Sequence, residues 1–169
     1  MIPKRIPASR AAFVRGLQLS LRASVAAAVS LAIAQAAGLQ YPIYALIAAV
    51  MVSDLSPAQT RKLALRRVVA TVIGAACGIA ASLTLPADTL SIGVGILVAM
   101  LVCNLLRTPE SAKLAGYVCA IIVITYATDP WWYAFYRLVE TVIGIAVAWL
   151  MSLVPKLVDA EGDAPTASN

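Results

Sequence analysis

Six apolar runs joined by short charged connections decide what this chain can be. They occupy residues 17–39, 43–52, 68–85, 90–106, 114–128 and 138–154. A spanning helix needs roughly 20 apolar residues, so six of them use nearly all of the 169 positions. The runs are too long and too little alternating for barrel strands, and open sheet edges are not viable in lipid. Only 12% of residues are charged, about half of the ~25% typical of soluble domains, so a soluble domain is excluded. The expected fold is all-α integral membrane, six transmembrane helices with short loops. The second run is short, so its helix is expected to borrow Tyr41 and Pro42 or to cross a thin region.

Helix starts are marked by a cap followed by proline. Ser56-Pro57-Ala58-Gln59 reads as a capping box, and Thr108-Pro109 and Asp129-Pro130 repeat the device. The third helix is therefore expected to begin near Pro57 and the sixth at Pro130. Pro86 and Pro155 stand where the third and sixth should stop or bend.

The net charge of +5 does not point to nucleic acid, because the cations lie between the apolar runs. Lys4, Arg5, Arg10 and Arg15 precede the first run; Arg61, Lys62, Arg66 and Arg67 separate the second from the third; Arg107 and Lys113 separate the fourth from the fifth; Lys156 follows the sixth. The alternate loops hold Asp88 and Asp129 instead. By the positive-inside rule both termini are cytoplasmic. Trp131, Trp132, Tyr133, Phe135 and Tyr136 form an aromatic belt at the outer interface. A cleavable signal peptide is a poor match for the N-terminus, since Arg22 lies too deep for its basic region.

The sequence also repeats. Arg67-Val-Val-Ala-Thr-Val-Ile-Gly74 matches Arg137-Leu-Val-Glu-Thr-Val-Ile-Gly144, and residues 45–54 align loosely with 120–129. The halves, about 15–86 and 88–157, each hold three helices. Three is odd, so the second half runs inverted: a 3+3 inverted repeat, which is a transporter architecture. A basic segment at 1–14 precedes this membrane domain of 15–157, and an acidic, disordered tail at 158–169 follows it.

Small residues recur at four-residue steps: Ala26, Ser30, Ala34 and Gly38; Ala70, Gly74, Gly78 and Ser82; Ser91, Gly95, Ala99 and Cys103; Gly144, Ala148 and Ser152. Such stripes let helix backbones approach closely in lipid, so Gly74, Gly78, Gly95 and Gly144 are assigned to packing. Arg22 and Glu140 extend two of the stripes and so face protein. They are too far apart along the membrane normal to pair, which leaves Arg137, three residues before Glu140, as the better partner. Two readings stand for Glu140: an intramembrane carboxylate that couples transport to protons, or half of a structural pair with Arg137. The basic cluster of Arg22, Arg61, Lys62, Arg66, Arg67 and Arg107 is either an anion funnel or a topology signal in contact with anionic lipid. Arg67 and Arg137 occupy matching places in the repeat. Inversion is expected to set one guanidinium at each mouth of a carboxylate pathway, with Thr71 and Thr141 capping or lining it and Arg22 contributing.

No His is present, which removes His catalysis and His metal sites. Cys77, Cys103 and Cys119 sit singly in apolar runs and read as small hydrophobes. Gly93-Val-Gly95 lacks a full phosphate-binding frame. No enzyme activity, metal or cofactor is expected.

The two Arg-x-x-x-Thr-x-x-Gly helices, with Tyr41-Pro-Ile-Tyr-Ala-Leu-Ile-Ala-Ala-Val50, resemble the signature helices of the fusaric acid resistance and aromatic acid exporter superfamily. The resemblance spans about residues 15–157. It implies a six-helix unit of the bacterial inner membrane that exports aromatic or other organic acid anions. Plant malate-permeable anion channels, built from two such units, are similar too. Larger members join two units and add cytoplasmic domains. One unit here implies a homodimer or higher homo-oligomer. Three functions are therefore weighed: a proton-linked organic-anion exporter, a passive organic-anion channel, and a non-transporting membrane scaffold.

Overall fold

A computed structural model describes residues 8–86, 88–125 and 130–154. The described residues form six helices: α1 (Ala8–Ala36), α2 (Ile43–Val52), α3 (Pro57–Thr84), α4 (Thr89–Leu105), α5 (Pro109–Thr125) and α6 (Pro130–Ser152). The helix starts at Pro57, Pro109 and Pro130 fall where the cap-then-proline signals place them. The first helix begins earlier than its apolar run, at Ala8, so the basic segment is partly helical. The acidic tail, Asp129 and Pro155 lie outside the described residues.

Three helices are long and apolar enough to cross a bilayer: α1 from Ala12, α3, and α6 from Trp131. Among the described residues α4 and α5 have 17 residues each. With 10 residues, α2 is about 15 Å long, half of the ~30 Å hydrocarbon core. It cannot span alone, so its ends must be satisfied by neighbouring helices.

The helices sort into two groups. In one, α5 packs along α3 and α4. Its core is small: Ala70, Ala81, Ala99, Cys103, Ala112, Ala115, Cys119 and Val123, with Cys77 at its edge. In the other, α2 packs along α6, and α1 covers both; Ala26, Ala49 and Val147 form its centre. The groups meet where α3 crosses α6. Val118, Ile122 and Tyr133 fill that seam, flanked by Tyr41 and Tyr44. The large apolar residues face outward instead: Phe13, Leu17, Leu21, Val25, Val29 and Ile33 form an exposed ladder on α1. Small inside and large outside suits a bundle whose solvent is lipid.

The small stripes are buried as expected at Ala26, Ser30 and Ala34, at Ala70, Gly74 and Gly78, along all of Ser91, Gly95, Ala99 and Cys103, and at Gly144, Ala148 and Ser152. Gly38 is an exception. It is exposed, with φ +67°; its N–H donates to Gln35 O (3.0 Å) and Leu39 N–H to Ala34 O (3.1 Å). It ends α1 in a Schellman turn, a job for a residue without Cβ. Arg107 ends α4 in the same way at φ +58°, with Thr108 N–H on Cys103 O.

Two caps differ from the sequence reading. Ser56 takes the N-cap position of α3 but makes no side-chain cap bond; its own N–H donates to Asp54 Oδ1 (2.9 Å). The Thr108 hydroxyl turns back to Cys103 O (3.2 Å) and closes α4 rather than opening α5. Among the described residues, Asp88 forms a side-chain cap on α4. It accepts from Ser91 N–H (2.8 Å) and Ser91 O–H (2.6 Å). Those bonds hold the Asp88 carboxyl below its ordinary range. A depressed carboxylate stabilises above its unfolded pKa and loses that contribution as pH falls through the folded value. Acidification is therefore expected to release the start of α4. Hydrogen exchange at Ser91 N–H, corrected for its intrinsic rate, should lose protection on acidification in the parent and be unprotected throughout in Asp88→Ala.

Candidate functional site

The site is built on the two matching helices. On α3 the buried positions include Arg67, Ala70, Thr71, Gly74 and Gly78. On α6 they include Arg137, Glu140, Thr141, Gly144 and Ala148. The two sets share one spacing, so each helix turns its arginine and its glycine to the protein side.

The glycines set how close the partners come. A Cβ on Gly74 would lie 2.5 Å from Ala115 O and 2.8 Å from Val118 Cβ on α5. A Cβ on Gly144 would collide with Ala45 O and come within 2.8 Å of Ala48 Cβ and 2.9 Å of Ala49 N on α2. Gly78 is closed over Ile122 and Gly95 over Cys119. Ala115 thus stands to Gly74 as Ala45 stands to Gly144, in the same register that relates Arg67 to Arg137.

Close approach brings the arginines onto α2. Arg67 is 2% exposed, and its Nη1 donates to Met51 Sδ (3.1 Å). Arg137 is fully buried. Its Cζ lies 3.5 Å from the Tyr44 ring centroid and 5.5 Å from that of Tyr117, and its Nη1 is 3.5 Å from Tyr133 O–H. Tyr41, Tyr44 and Tyr133 make a cage beside it, with centroids 5.1–6.3 Å apart. Tyr44 and Met51 are two turns apart on one face of α2, about 10 Å. The guanidiniums are accordingly near enough to repel one another, by roughly 2 kcal/mol at an effective dielectric constant of 20. Arg67 on α3 and Arg137 on α6 thus both lie against α2, two turns apart.

Each guanidinium also keeps donors in hand. Nε and Nη2 of both Arg67 and Arg137 are buried without a hydrogen-bond partner among the described residues. Buried charge without a full set of partners is expensive. The cation–π contact with Tyr44, worth up to about 2 kcal/mol in a dry setting, offsets part of that cost for Arg137. A thioether is a weak acceptor, so Arg67 is compensated less.

Glu140 does not form the expected contact pair with Arg137. Its carboxylate is fully buried, and Oε1 accepts Tyr41 N–H (2.8 Å). Tyr41 precedes α2, whose N-terminal donors have no helical partner and favour a negative charge. Glu140 thus accepts the backbone donor just ahead of the short helix α2, while the Tyr44 ring holds Arg137 away. Arg137 remains within electrostatic reach, and Glu140 Oε2 has no hydrogen-bond partner among the described residues.

The other expected residues have local employment. The Thr71 hydroxyl donates to Arg67 O (2.9 Å), and Thr141 to Arg137 O (2.7 Å). Each ties down the turn that carries its arginine and has no proton left for a ligand. Arg22 donates to Val154 O just past the end of α6, where a cation suits the helix dipole. Arg66 pairs with Glu110, and Ser111 O–H reaches Arg66 O (3.2 Å). Arg22 and Arg66 thus each have a partner of their own. Trp131, Trp132 and Phe135 are exposed as a belt requires, but Tyr133 turns inward to Arg137.

Sequence reasoning missed Met51, Tyr44 and Tyr117 as partners of the arginines. Tyr117 carried a readable signal: a single phenol inside the small, apolar stretch of α5.

A family model described as fusaric acid resistance protein-like matches residues 26–151. No curated protein matches, and no solved structure does.

Proposed function

Since the chain belongs to the fusaric acid resistance protein-like family, and is thereby a multi-pass membrane protein related to transport, we propose that it exports organic acid anions, aromatic acids among them. The observation that carries this reading is the pair of buried guanidiniums against α2. Their four unpartnered donor atoms and the tyrosine cage beside them suit a carboxylate attached to an apolar or aromatic body. Counting Glu140 as ionised, Arg67, Arg137 and Glu140 together bear one excess positive charge. A bound carboxylate completes both the charge balance and the hydrogen bonding.

In this reading the domain is an inverted 3+3 repeat. Its support is the shared spacing of α3 and α6 and the matched packing of Gly74 on α5 and Gly144 on α2. The charge distribution favours both termini in the cytoplasm, and the family resemblance a bacterial inner membrane. Any linkage to protons passes through Glu140, the carboxylate at the cluster. Met51 and Tyr117, 46% and 43% exposed, form the outward wall of the site. A second copy covering that wall would complete the pathway in a homodimer.

Reconstitution into liposomes with a panel of aromatic and aliphatic carboxylates tests the reading, with and without a pH gradient. Saturable carboxylate flux is expected. Accumulation against a gradient marks coupled transport and mere equilibration marks a channel. No flux for any carboxylate leaves a scaffold and overturns the proposal.

A further inference from the structure

The two matching helices differ at one buried position beside the cluster. Where α3 has Ala70, α6 has Glu140; each follows its arginine by three residues and both are fully buried. A symmetric site would hold two guanidiniums and no carboxylate. Resting on the anion-transport reading above, we propose that Glu140 is the specificity-determining residue of the site, setting its excess charge at one so that monocarboxylates are taken and dicarboxylates refused.

Three features of the geometry support this role. First, the carboxylate is fixed. Tyr41 N–H holds Oε1 at 2.8 Å, so the charge cannot swing out to solvent when an anion enters. Second, it is not quenched by a contact ion pair. Arg137 is turned onto the Tyr44 ring at 3.5 Å, and the ion pair found among the described residues joins Arg66 to Glu110 elsewhere. The field of Glu140 therefore reaches whatever binds to the free guanidinium donors. Third, the count is decisive in a poorly screened interior. A monoanion brings Arg67, Arg137 and Glu140 to neutrality. A dianion leaves one uncompensated negative charge within several ångströms of Glu140. Relative to a site without the Glu140 charge, that repulsion at an effective dielectric constant of 20 disfavours the dianion by roughly tenfold or more.

The test is competition for flux in liposomes holding the full chain, at a pH where both acids are ionised. Two pairs of probes differ by one carboxylate: benzoate against phthalate, and hexanoate against adipate. The parent is expected to prefer the monoanion in both pairs. Glu140→Gln retains an acceptor oxygen for Tyr41 N–H but removes the charge, and is expected to shift the preference toward the dianion at least about tenfold. An unchanged ratio in a folded, active Glu140→Gln overturns the proposal. So does a parent that prefers the dianion, a result that needs no variant to fold. A parent that moves none of the four acids overturns the transport reading and this inference with it, a failure distinct from flux with the wrong selectivity.

Discussion

An Arg67→Met variant is expected to fold at least as stably as the parent and to move organic anions at least roughly thirtyfold more slowly. The two effects have opposite signs because they share one cause. Arg67 is buried with a thioether as its contact and with Nε and Nη2 unpartnered, and Arg137 repels it. Replacing such a cation by an apolar side chain of similar length removes a desolvation cost and a repulsion. Substitutions of this kind are neutral or stabilising by about 1–4 kcal/mol. Losing a charged donor from a buried carboxylate contact costs about 2–5 kcal/mol, which is the expected loss in flux. A structural arginine would behave the other way, with stability falling and flux surviving. Melting temperature in detergent and flux in liposomes, measured on one preparation, separate the two. Arg137→Met should lose flux as well but gain less stability, because it also gives up the Tyr44 ring.

The second large effect is steric. Gly144→Ala is expected to destabilise the bundle by about 3 kcal/mol or more, at or beyond the upper end of ordinary overpacking. The added carbon would meet Ala45 O, Ala48 Cβ and Ala49 N, which are backbone or the first carbon of a side chain and have no rotamer to yield. The only relief is to lift α2 off α6, which pulls Tyr41 N–H from Glu140 and Tyr44 from Arg137. Gly93→Ala serves as the control. Nothing lies within 4 Å of its Cβ, so it should be neutral or gain up to about 1 kcal/mol of helix propensity. Unfolding midpoints of the three proteins in one detergent decide the matter.

The sequence shows the helices clearly because lipid imposes a crude, strong code of apolar runs, small stripes and proline starts. The bounds of α2 and the burial of Arg22 and Glu140 are legible for that reason. The partners of those charges are not. Glu140 and Arg137 are neighbours on one helix, and local reasoning pairs them. What separates them is α2, 99 positions away from Glu140 along the chain, which brings a backbone donor to one and an aromatic ring to the other. Tyr133 was drawn inward from the aromatic belt by the same encounter. Caps failed for a related reason: Ser56 and Thr108 have the right chemistry, but Asp54 and the end of α4 offered nearer bonds.

The packing of α2 on α6 and of α3 on α5 bears on the chain's synthesis. The surface that buries α2 lies on α6, made long after it. About 100 residues separate the end of α2 from the end of α6, which at 5–20 residues per second is roughly 5–20 s of translation. Through that interval a helix half a bilayer long waits with Tyr41 N–H uncapped and its alanines facing lipid or α1 alone. The insertion machinery therefore has to hold an incomplete α1–α2 hairpin until α6 arrives. The α1–α2 hairpin becomes a stable membrane structure only once α6 has been made.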